Sequence, residues 1–151
     1  MRLLSAVMLV GSLSGPAFAV QETFGTAQEA EAMVSRAVAH IEAVGAEKAY
    51  QDFSNKGPGF FDRDLYVFVY DLRGRVLAHG GNPNMPGKDL LGMRDANGKL
   101  FVKERIELAR SKSKFWHDYT FTDPMTHKVL PKSTYCERVE ATIVCVGIYK
   151  R

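Results

Sequence analysis

The chain has 151 residues, of which 46% are hydrophobic and 25% are charged, and 20 basic residues stand against 17 acidic ones. This length gives one domain with a modest core and is too short for two. Basic and acidic residues are mixed along the chain, without a stripe of arginines and aromatic residues, which favours a solvated mixed-charge surface, and we expect no nucleic acid partner.

The first nineteen residues have the pattern of a secretory signal peptide. Arg2 supplies a positive charge, residues 3–13 form a short apolar core, and Ala17-Phe18-Ala19 is the small-x-small sequence that signal peptidase accepts. Serine and glycine interrupt the apolar run, which therefore falls short of the roughly 20 apolar residues of a membrane span. We expect cleavage after Ala19, a mature domain over residues 20–151 without a transmembrane segment, and a periplasmic or secreted location. The alternative is that the segment is retained as an anchor.

Two helices are predicted at the start of the mature domain. Thr26 with Glu29 three residues later is a capping box, so a helix begins there, and Gly45 favours its end. A second, short helix over residues 46–53 is ended by the Gly-Pro-Gly sequence at 57–59. The first helix is amphipathic, because its apolar residues recur every three or four positions: Ala30, Met33, Val34, Ala37, Val38, Ile41 and Val44.

A sheet is predicted to follow. Residues 65–70 are β-branched or aromatic throughout, which is typical of a central strand covered on both faces. Residues 80–93, with two prolines and four glycines, form a loop of the length that usually binds something or lines a pocket. A surface helix is predicted at 101–111, and further strands at 75–79, 115–122, 129–139 and 142–149. The fold class is therefore α+β, with a long N-terminal helix packed on an antiparallel sheet of about five strands, like a PAS or profilin domain.

The two cysteines lie in the last two predicted strands. A two-residue turn at Glu140-Ala141 places Cys136 opposite Cys145. Such a non-hydrogen-bonded pair brings the Cα atoms to about 4.5 Å, at the short end of disulfide geometry. Because export implies an oxidising compartment, we expect a cross-strand Cys136–Cys145 disulfide. The alternative is two small core residues on one face of a buried hairpin.

Eight short motifs follow one another in the second half of the chain: Leu65–Asp71, Gly74, Leu-Ala-His at 77–79, Gly-Lys-Asp-Leu at 87–90, Asp-Ala-Asn-Gly-Lys at 95–99, Trp-His-Asp-Tyr at 116–119, Lys-Ser-Thr-Tyr at 132–135 and Gly-Ile-Tyr at 147–149. Together they resemble the single Cache (sCache) sensor family, in its second subtype, and the likeness covers nearly the whole mature chain. Two departures are Gly80-Gly81, where a proline is expected nearby, and the pair of cysteines.

The resemblance implies a pocket between the sheet and the inserted loop and helix, suited to small organic acids. A carboxylate that is buried away from water needs a charge or several hydrogen-bond donors. The candidate donors are Lys132, Tyr135, Tyr119, His79 and Trp116, and the candidate apolar walls are Phe68, Tyr66 and Met93. Lys132 is the first candidate for the charge. The alternatives are a solvent-exposed edge lysine, a structural histidine and ordinary core aromatic residues.

The sequence contains no nucleophile elbow, P-loop, HExxH or dinucleotide fingerprint, so we expect neither enzyme activity nor a cofactor or metal. Asp95-Ala96-Asn97-Gly98 lacks the later glutamate of a calcium loop and is interpreted as a turn before the helix. The resemblance implies an exported domain that binds a small organic carboxylate and acts in sensing with a separate, membrane-bound signalling partner. The alternative is a protein-interaction or accessory module of a membrane complex, without a small ligand.

Overall fold

The structure is a computed structural model that describes residues 23–151, so the predicted signal peptide lies outside the described residues. The elements in chain order are α1 (Ala27–Val44), α2 (Ala46–Ser54), β1 (Phe61–Asp62), β2 (Leu65–Asp71), β3 (Val76–His79), α3 (Phe101–Ser111), β4 (Lys114–Thr122), β5 (Val129–Val139) and β6 (Thr142–Tyr149). Among residues 23–151, no helix is both long enough and apolar enough to cross a membrane.

One antiparallel sheet organises the chain. β6 lies between β2 and β5, β4 pairs with the outer edge of β5, and both β1 and β3 pair with β2. The predicted fold class is confirmed, and the sheet has six strands because the two-residue β1 adds to the five that the sequence predicted. Two residues are too few to show an alternation of apolar and polar side chains, so the pattern could not reveal this strand.

The long helix α1 begins at the predicted capping box. The Glu29 amide donates to Thr26 Oγ1 at 3.2 Å, and the Thr26 amide donates to Glu29 Oε2 at 2.8 Å. The helix ends at Gly45, whose φ of 87° lies in the region that favours glycine. The buried residues Ala30, Met33 and Val34 are among those that pack α1 on the sheet.

Both faces of the sheet are covered, and β2 shows how. Its side chains alternate, so Val67 and Val69 join the core under α1 and α2, whereas Tyr66, Phe68 and Tyr70 join the core under α3 and the loop before it. We call these the α1 face and the α3 face. Since residues 65–70 of β2 are buried on both faces, they are aliphatic or aromatic without interruption, as expected for a central strand.

The hairpin of β5 and β6 has the predicted register. Val139 lies opposite Thr142, and Cys136 lies opposite Cys145. The two cysteines form a disulfide with a Cα–Cα distance of 4.2 Å, which confirms the predicted pairing. Both belong to the core of the α3 face, so the disulfide ties β5 to β6 beneath that face.

The loop between β3 and α3 lies directly on β2. A Cβ atom at Gly81 would come within 2.7 Å of the Tyr66 ring, so only a glycine allows this close approach. The Gly80-Gly81 sequence, which departs from the family pattern, therefore serves to bring the loop against the ring of Tyr66.

Candidate functional site

Lys132 points into the α3 face rather than into solvent, with 1% of its surface exposed. Its Nζ lies 4.2 Å from the ring centroid of Tyr66 and 4.8 Å from that of Tyr149. The side chain fits because Gly147 lies beside it on β6, where a Cβ atom would overlap both Lys132 and Thr134. The Gly-Ile-Tyr motif at 147–149 thus supplies both the space for the lysine and one of the rings around it.

A chain of hydrogen bonds starts at this lysine. Lys132 Nζ donates to the Tyr66 hydroxyl at 2.7 Å, and the Tyr66 and Tyr149 hydroxyls are 3.1 Å apart. The Tyr149 hydroxyl donates to the Thr122 carbonyl at 2.7 Å. The Tyr66 hydroxyl is therefore the donor in its hydrogen bond with the Tyr149 hydroxyl. Tyr66 can therefore accept one hydrogen bond from Lys132, which has up to three N–H groups to give.

Arg105 is the second basic side chain buried on this face. It comes from the middle of α3 and has no exposed surface. Its guanidinium carbon lies 4.7 Å from the ring centroid of Tyr119 and 5.2 Å from that of Phe68. Within residues 23–151, its Nε, Nη1 and Nη2 atoms have no hydrogen-bond partner. The aromatic faces attract the charge. The Tyr70 hydroxyl also lies close enough for Arg105 to oppose the rise that burial causes in the pKa of Tyr70.

The two buried acids that act on Lys132 are already paired with another residue. Arg151 Nη1 donates to Asp123 at 2.7 Å, and Arg151 Nη2 donates to Asp64 at 3.0 Å. Burial lowers the pKa of Lys132 well below its usual value, the charge of Arg105 lowers it further, and Asp64 and Asp123 oppose this shift from a distance. Within the described residues, neither Lys132 nor Arg105 forms an ion pair.

His79 lies on the same face at the end of β3. Its ring stacks on Phe68, with centroids 5.8 Å apart, and its Nδ1 accepts a hydrogen bond from the Asn82 amide at 3.0 Å. Burial, followed by the charges of Lys132 and Arg105, lowers its pKa to about 3. The ring is therefore neutral at pH 7, and because Nδ1 is an acceptor the proton is on Nε2.

A cavity of about 390 Å³ opens beside these residues. It lies under the loop at Gly81 and Asn82. Its lining includes Tyr66 and Phe121, whose ring centroids are 4.2 and 5.5 Å from Lys132 Nζ, but not Lys132 itself. The complete lining is Lys56, Phe61, Tyr66, His79, Gly81, Asn82, Pro83, Phe121, Thr122, Pro124 and His127. The cavity therefore reaches the rings around the lysine but stops short of its amino group.

The structure brings five of the predicted site residues together on the α3 face: Lys132, Tyr119, His79, Phe68 and Tyr66. It places Trp116 and Tyr135 on the opposite face, where their rings are 5.4 Å apart and Trp116 Nε1 donates to Glu31 of α1 at 3.2 Å.

The physical reason for this separation is strand alternation. Trp116 is an odd number of positions from Tyr119 on β4, as Tyr135 is from Lys132 on β5, and such residues point to opposite faces. Met93 also lies away from the lysine. It is 40% exposed and lines a separate hollow of about 140 Å³.

Sequence reasoning missed Arg105, although a signal for it exists. Arg105 is four residues from both Phe101 and Ala109, which are buried on the same side of α3. A charged residue at the centre of the apolar stripe of a helix is unusual and marks a special environment.

His117 was missed as well, although it lies two residues from both Phe115 and Tyr119 on β4, whose rings are buried on the same face. It is 5% exposed, and its Nε2 lies 3.3 Å from a carboxylate oxygen of Glu104. Burial and the charge of Arg105 lower its pKa to about 4. Strand parity would have grouped His117 with Tyr119 on one face.

Comparison with known proteins agrees with this architecture. The single Cache domain 2 family matches residues 8–150, a range that begins inside the predicted signal peptide. Over 123 residues, the chain is 25% identical to the methyl-accepting chemotaxis protein McpP of Pseudomonas putida, which covers 80% of this chain and 21% of that protein. The chain thus spans about a fifth of the length of this curated relative.

Three solved structures have the same fold. The first, described as the periplasmic sensor domain of a chemotaxis protein, has a TM-score of 0.66 and 25% identity, covering 82% of this chain and 90% of that one. A methyl-accepting chemotaxis protein from Vibrio parahaemolyticus has a TM-score of 0.63 and 23% identity, and the match covers 81% of this chain and 86% of that one. A Cache chemosensory domain described for its carboxylic acid recognition has a TM-score of 0.66 and 20% identity, and the match covers 82% of this chain and 88% of that one. With a family match over nearly its whole length and the sensor-domain fold, the chain belongs to the single Cache domain 2 family.

Proposed function

We propose that this protein is an exported sensor domain that binds a small organic carboxylate between Arg105 and Lys132. The observation that carries the proposal is the buried guanidinium of Arg105, whose nitrogen atoms have no acceptor within residues 23–151. A carboxylate provides two oxygen atoms that match the paired N–H groups of a guanidinium. It would supply the acceptors that the protein itself does not place there.

The energetics of burial support an anionic ligand. A buried charge without a partner costs several kcal/mol, so a side chain such as Arg105 destabilises the ligand-free protein. Burial lowers the pKa of Lys132 in the same region. A bound carboxylate would favour the protonated amine, so that ligand binding and proton uptake by Lys132 reinforce each other.

The walls of the site favour a ligand of only a few atoms. The rings of Phe68 and Tyr119 lie within 6 Å of both basic groups, so little space remains between them. At a ceiling of about −1.5 kcal/mol per heavy atom, a four-atom acid such as acetate reaches about −6 kcal/mol, or a Kd of tens of micromolar. The Cache domain described for carboxylic acid recognition shares this fold, which is consistent with the same class of ligand.

The location and the partner form part of the same proposal. The pattern of residues 1–19 supports export. The relatives are described as chemotaxis proteins, and in one case as a periplasmic sensor domain. We therefore place the domain outside the cytoplasm, acting in sensing through a membrane-bound signalling partner.

A second candidate function is a protein-interaction or accessory module that binds no small ligand. It is favoured by one observation, which is that the 390 Å³ cavity stops at Tyr66 and Phe121 instead of reaching Lys132. In this case the aromatic rings would fill the α3 face permanently. The two candidates differ in whether a carboxylate stabilises the fold.

The deciding experiment is a thermal-shift screen of the protein against short carboxylates, amino acids and neutral metabolites. A ligand at 100 times its Kd adds about 2.7 kcal/mol to the free energy of unfolding, which corresponds to a shift of several degrees. We expect short carboxylates alone to give this shift. Lys132→Met should abolish it, whereas Lys128→Met, at an exposed position just before β5, should leave it unchanged. A screen without any shift would favour the interaction module.

A further inference from the structure

His117 presents an unused hydrogen-bond acceptor on the α3 face. Its Nε2 lies 3.3 Å from Glu104, a carboxylate that accepts and does not donate, so Nε2 carries the proton. The hydrogen bonds from His117 and Lys99 outweigh desolvation and lower the pKa of Glu104, which keeps that carboxylate ionised. With its own pKa at about 4, His117 is neutral at pH 7. Its Nδ1 is therefore a lone-pair acceptor, and within residues 23–151 no donor reaches it.

The side chains of His117 and Arg105 both lie against the ring of Tyr119. The His117 ring is 5.7 Å from the ring centroid of Tyr119 and within 15° of parallel to it, and the guanidinium carbon of Arg105 is 4.7 Å from the same ring. Glu104, which bonds to His117, immediately precedes Arg105 on α3. Between α3 and β4 there are thus three nitrogen donors without an acceptor and one acceptor without a donor.

Different ligands would satisfy these groups to different extents. A simple carboxylate accepts from Arg105 and leaves His117 Nδ1 unpaired, and a neighbouring keto group would add an acceptor where a donor is needed. A neighbouring ammonium group would donate, but its charge would be repelled by Arg105 in a site of low dielectric. A hydroxyl group donates without carrying a charge.

We infer that the preferred ligand carries a hydroxyl group next to its carboxylate, with the carboxylate accepting from Arg105 and the hydroxyl donating to His117 Nδ1. This inference rests on the proposed carboxylate site and narrows it to small 2-hydroxy acids. His117 then acts as the residue that determines specificity, while Arg105 supplies the charge.

The test is isothermal titration calorimetry of the protein at pH 7 with three acids that differ only at the second carbon. Lactate has a hydroxyl group there, pyruvate a keto group and propionate a methylene group. One additional hydrogen bond, together with a buried acceptor no longer left unpaired, predicts lactate binding about tenfold tighter than propionate binding. Pyruvate should bind no more tightly than propionate.

His117→Phe keeps an aromatic ring against Tyr119 but removes the acceptor. Lactate affinity should fall to that of propionate, whose own affinity should stay within about twofold of the wild-type value. His40→Phe, on the α1 face, is the matched control and should preserve the preference for lactate.

The outcomes separate the inference from the proposal beneath it. Equal binding of lactate and propionate by the wild-type protein, which needs no variant, would overturn the role of His117 and leave the carboxylate site standing. A lactate advantage that survives His117→Phe would have the same meaning. If none of the three acids binds, the carboxylate site and the inference both fail.

Discussion

The two faces of the sheet have cores of different chemistry. On the α1 face, the core is an apolar cluster that includes valines of β2 and β6 together with Phe53 of α2. On the α3 face, Arg105, Lys132, His79 and His117 are buried among aromatic rings. Burial of apolar surface stabilises a fold, whereas burial of incompletely paired basic groups costs free energy. We interpret the α1 face as the source of stability and the α3 face as the part that gives up stability for binding.

The largest expected effect belongs to the α1 face. Phe53 has no exposed surface and packs edge-on against Phe60, with centroids 4.8 Å apart. Phe53→Ala should lower the free energy of unfolding by about 3–5 kcal/mol, because a cavity replaces the ring. Urea denaturation measures this loss.

The same variant tests whether the faces have separate roles. At a temperature where it stays folded, Phe53→Ala should bind a carboxylate with the affinity of the wild-type protein, as measured by calorimetry. A parallel loss of affinity would mean that the α1 face also shapes the binding site.

On the α3 face, we expect a substitution to raise the free energy of unfolding instead of lowering it. Arg105→Met replaces an unpaired buried guanidinium by an apolar side chain of similar length, so the ligand-free protein should become more stable by about 1–4 kcal/mol while carboxylate binding is lost. Arg110→Met, at an exposed position on the same helix, should change neither quantity. Destabilisation by Arg105→Met would show that the guanidinium supports the fold, and the contrast between the faces would fail.

A smaller effect concerns the pH dependence of stability. The pKa of His79 is lowered to about 3, so between pH 6.5 and that value the unfolded chain binds a proton that the folded protein does not. The contribution of His79 to the free energy of unfolding is complete above about pH 7 and decreases as the pH falls through this window. When the pH is lowered from 7.5 to 5.5, the free energy of unfolding should therefore fall by about 1 kcal/mol less in His79→Gln than in the wild-type protein.

Urea denaturation at the two pH values measures this difference, with His127→Asn as the control. His127 is exposed and has a φ of 59°, a conformation that asparagine tolerates. A His79→Gln variant with the same pH dependence as the wild-type protein would mean that His79 becomes protonated in the folded state.

The elements of the fold follow from local sequence. The capping box at Thr26, the apolar run of β2 and the two-residue turn before Thr142 each act over a few neighbouring residues, and the structure has all three where they were predicted. The disulfide follows from the same local register, because counting outward from the turn places Cys136 opposite Cys145.

The site was only partly predictable. Lys132, Tyr119 and Tyr66 lie together in the structure, because the strands that carry them place them on one face. Trp116 shares a motif with Tyr119 but points to α1, since adjacent motif residues on a strand alternate between faces. Motif membership therefore does not specify a face, although strand parity does.

The sequence by itself determined the fold class, the positions of the principal helices and strands and the cysteine pairing, because periodicity, caps and turns are short-range properties. Only the tertiary structure decided that Arg105 and His117 lie against the same ring of Tyr119 without bonding to each other. Whether a buried polar group finds a partner depends on elements that are distant in the chain, here α3 and β4 packed on the sheet. That long-range arrangement is where the proposed binding chemistry lies.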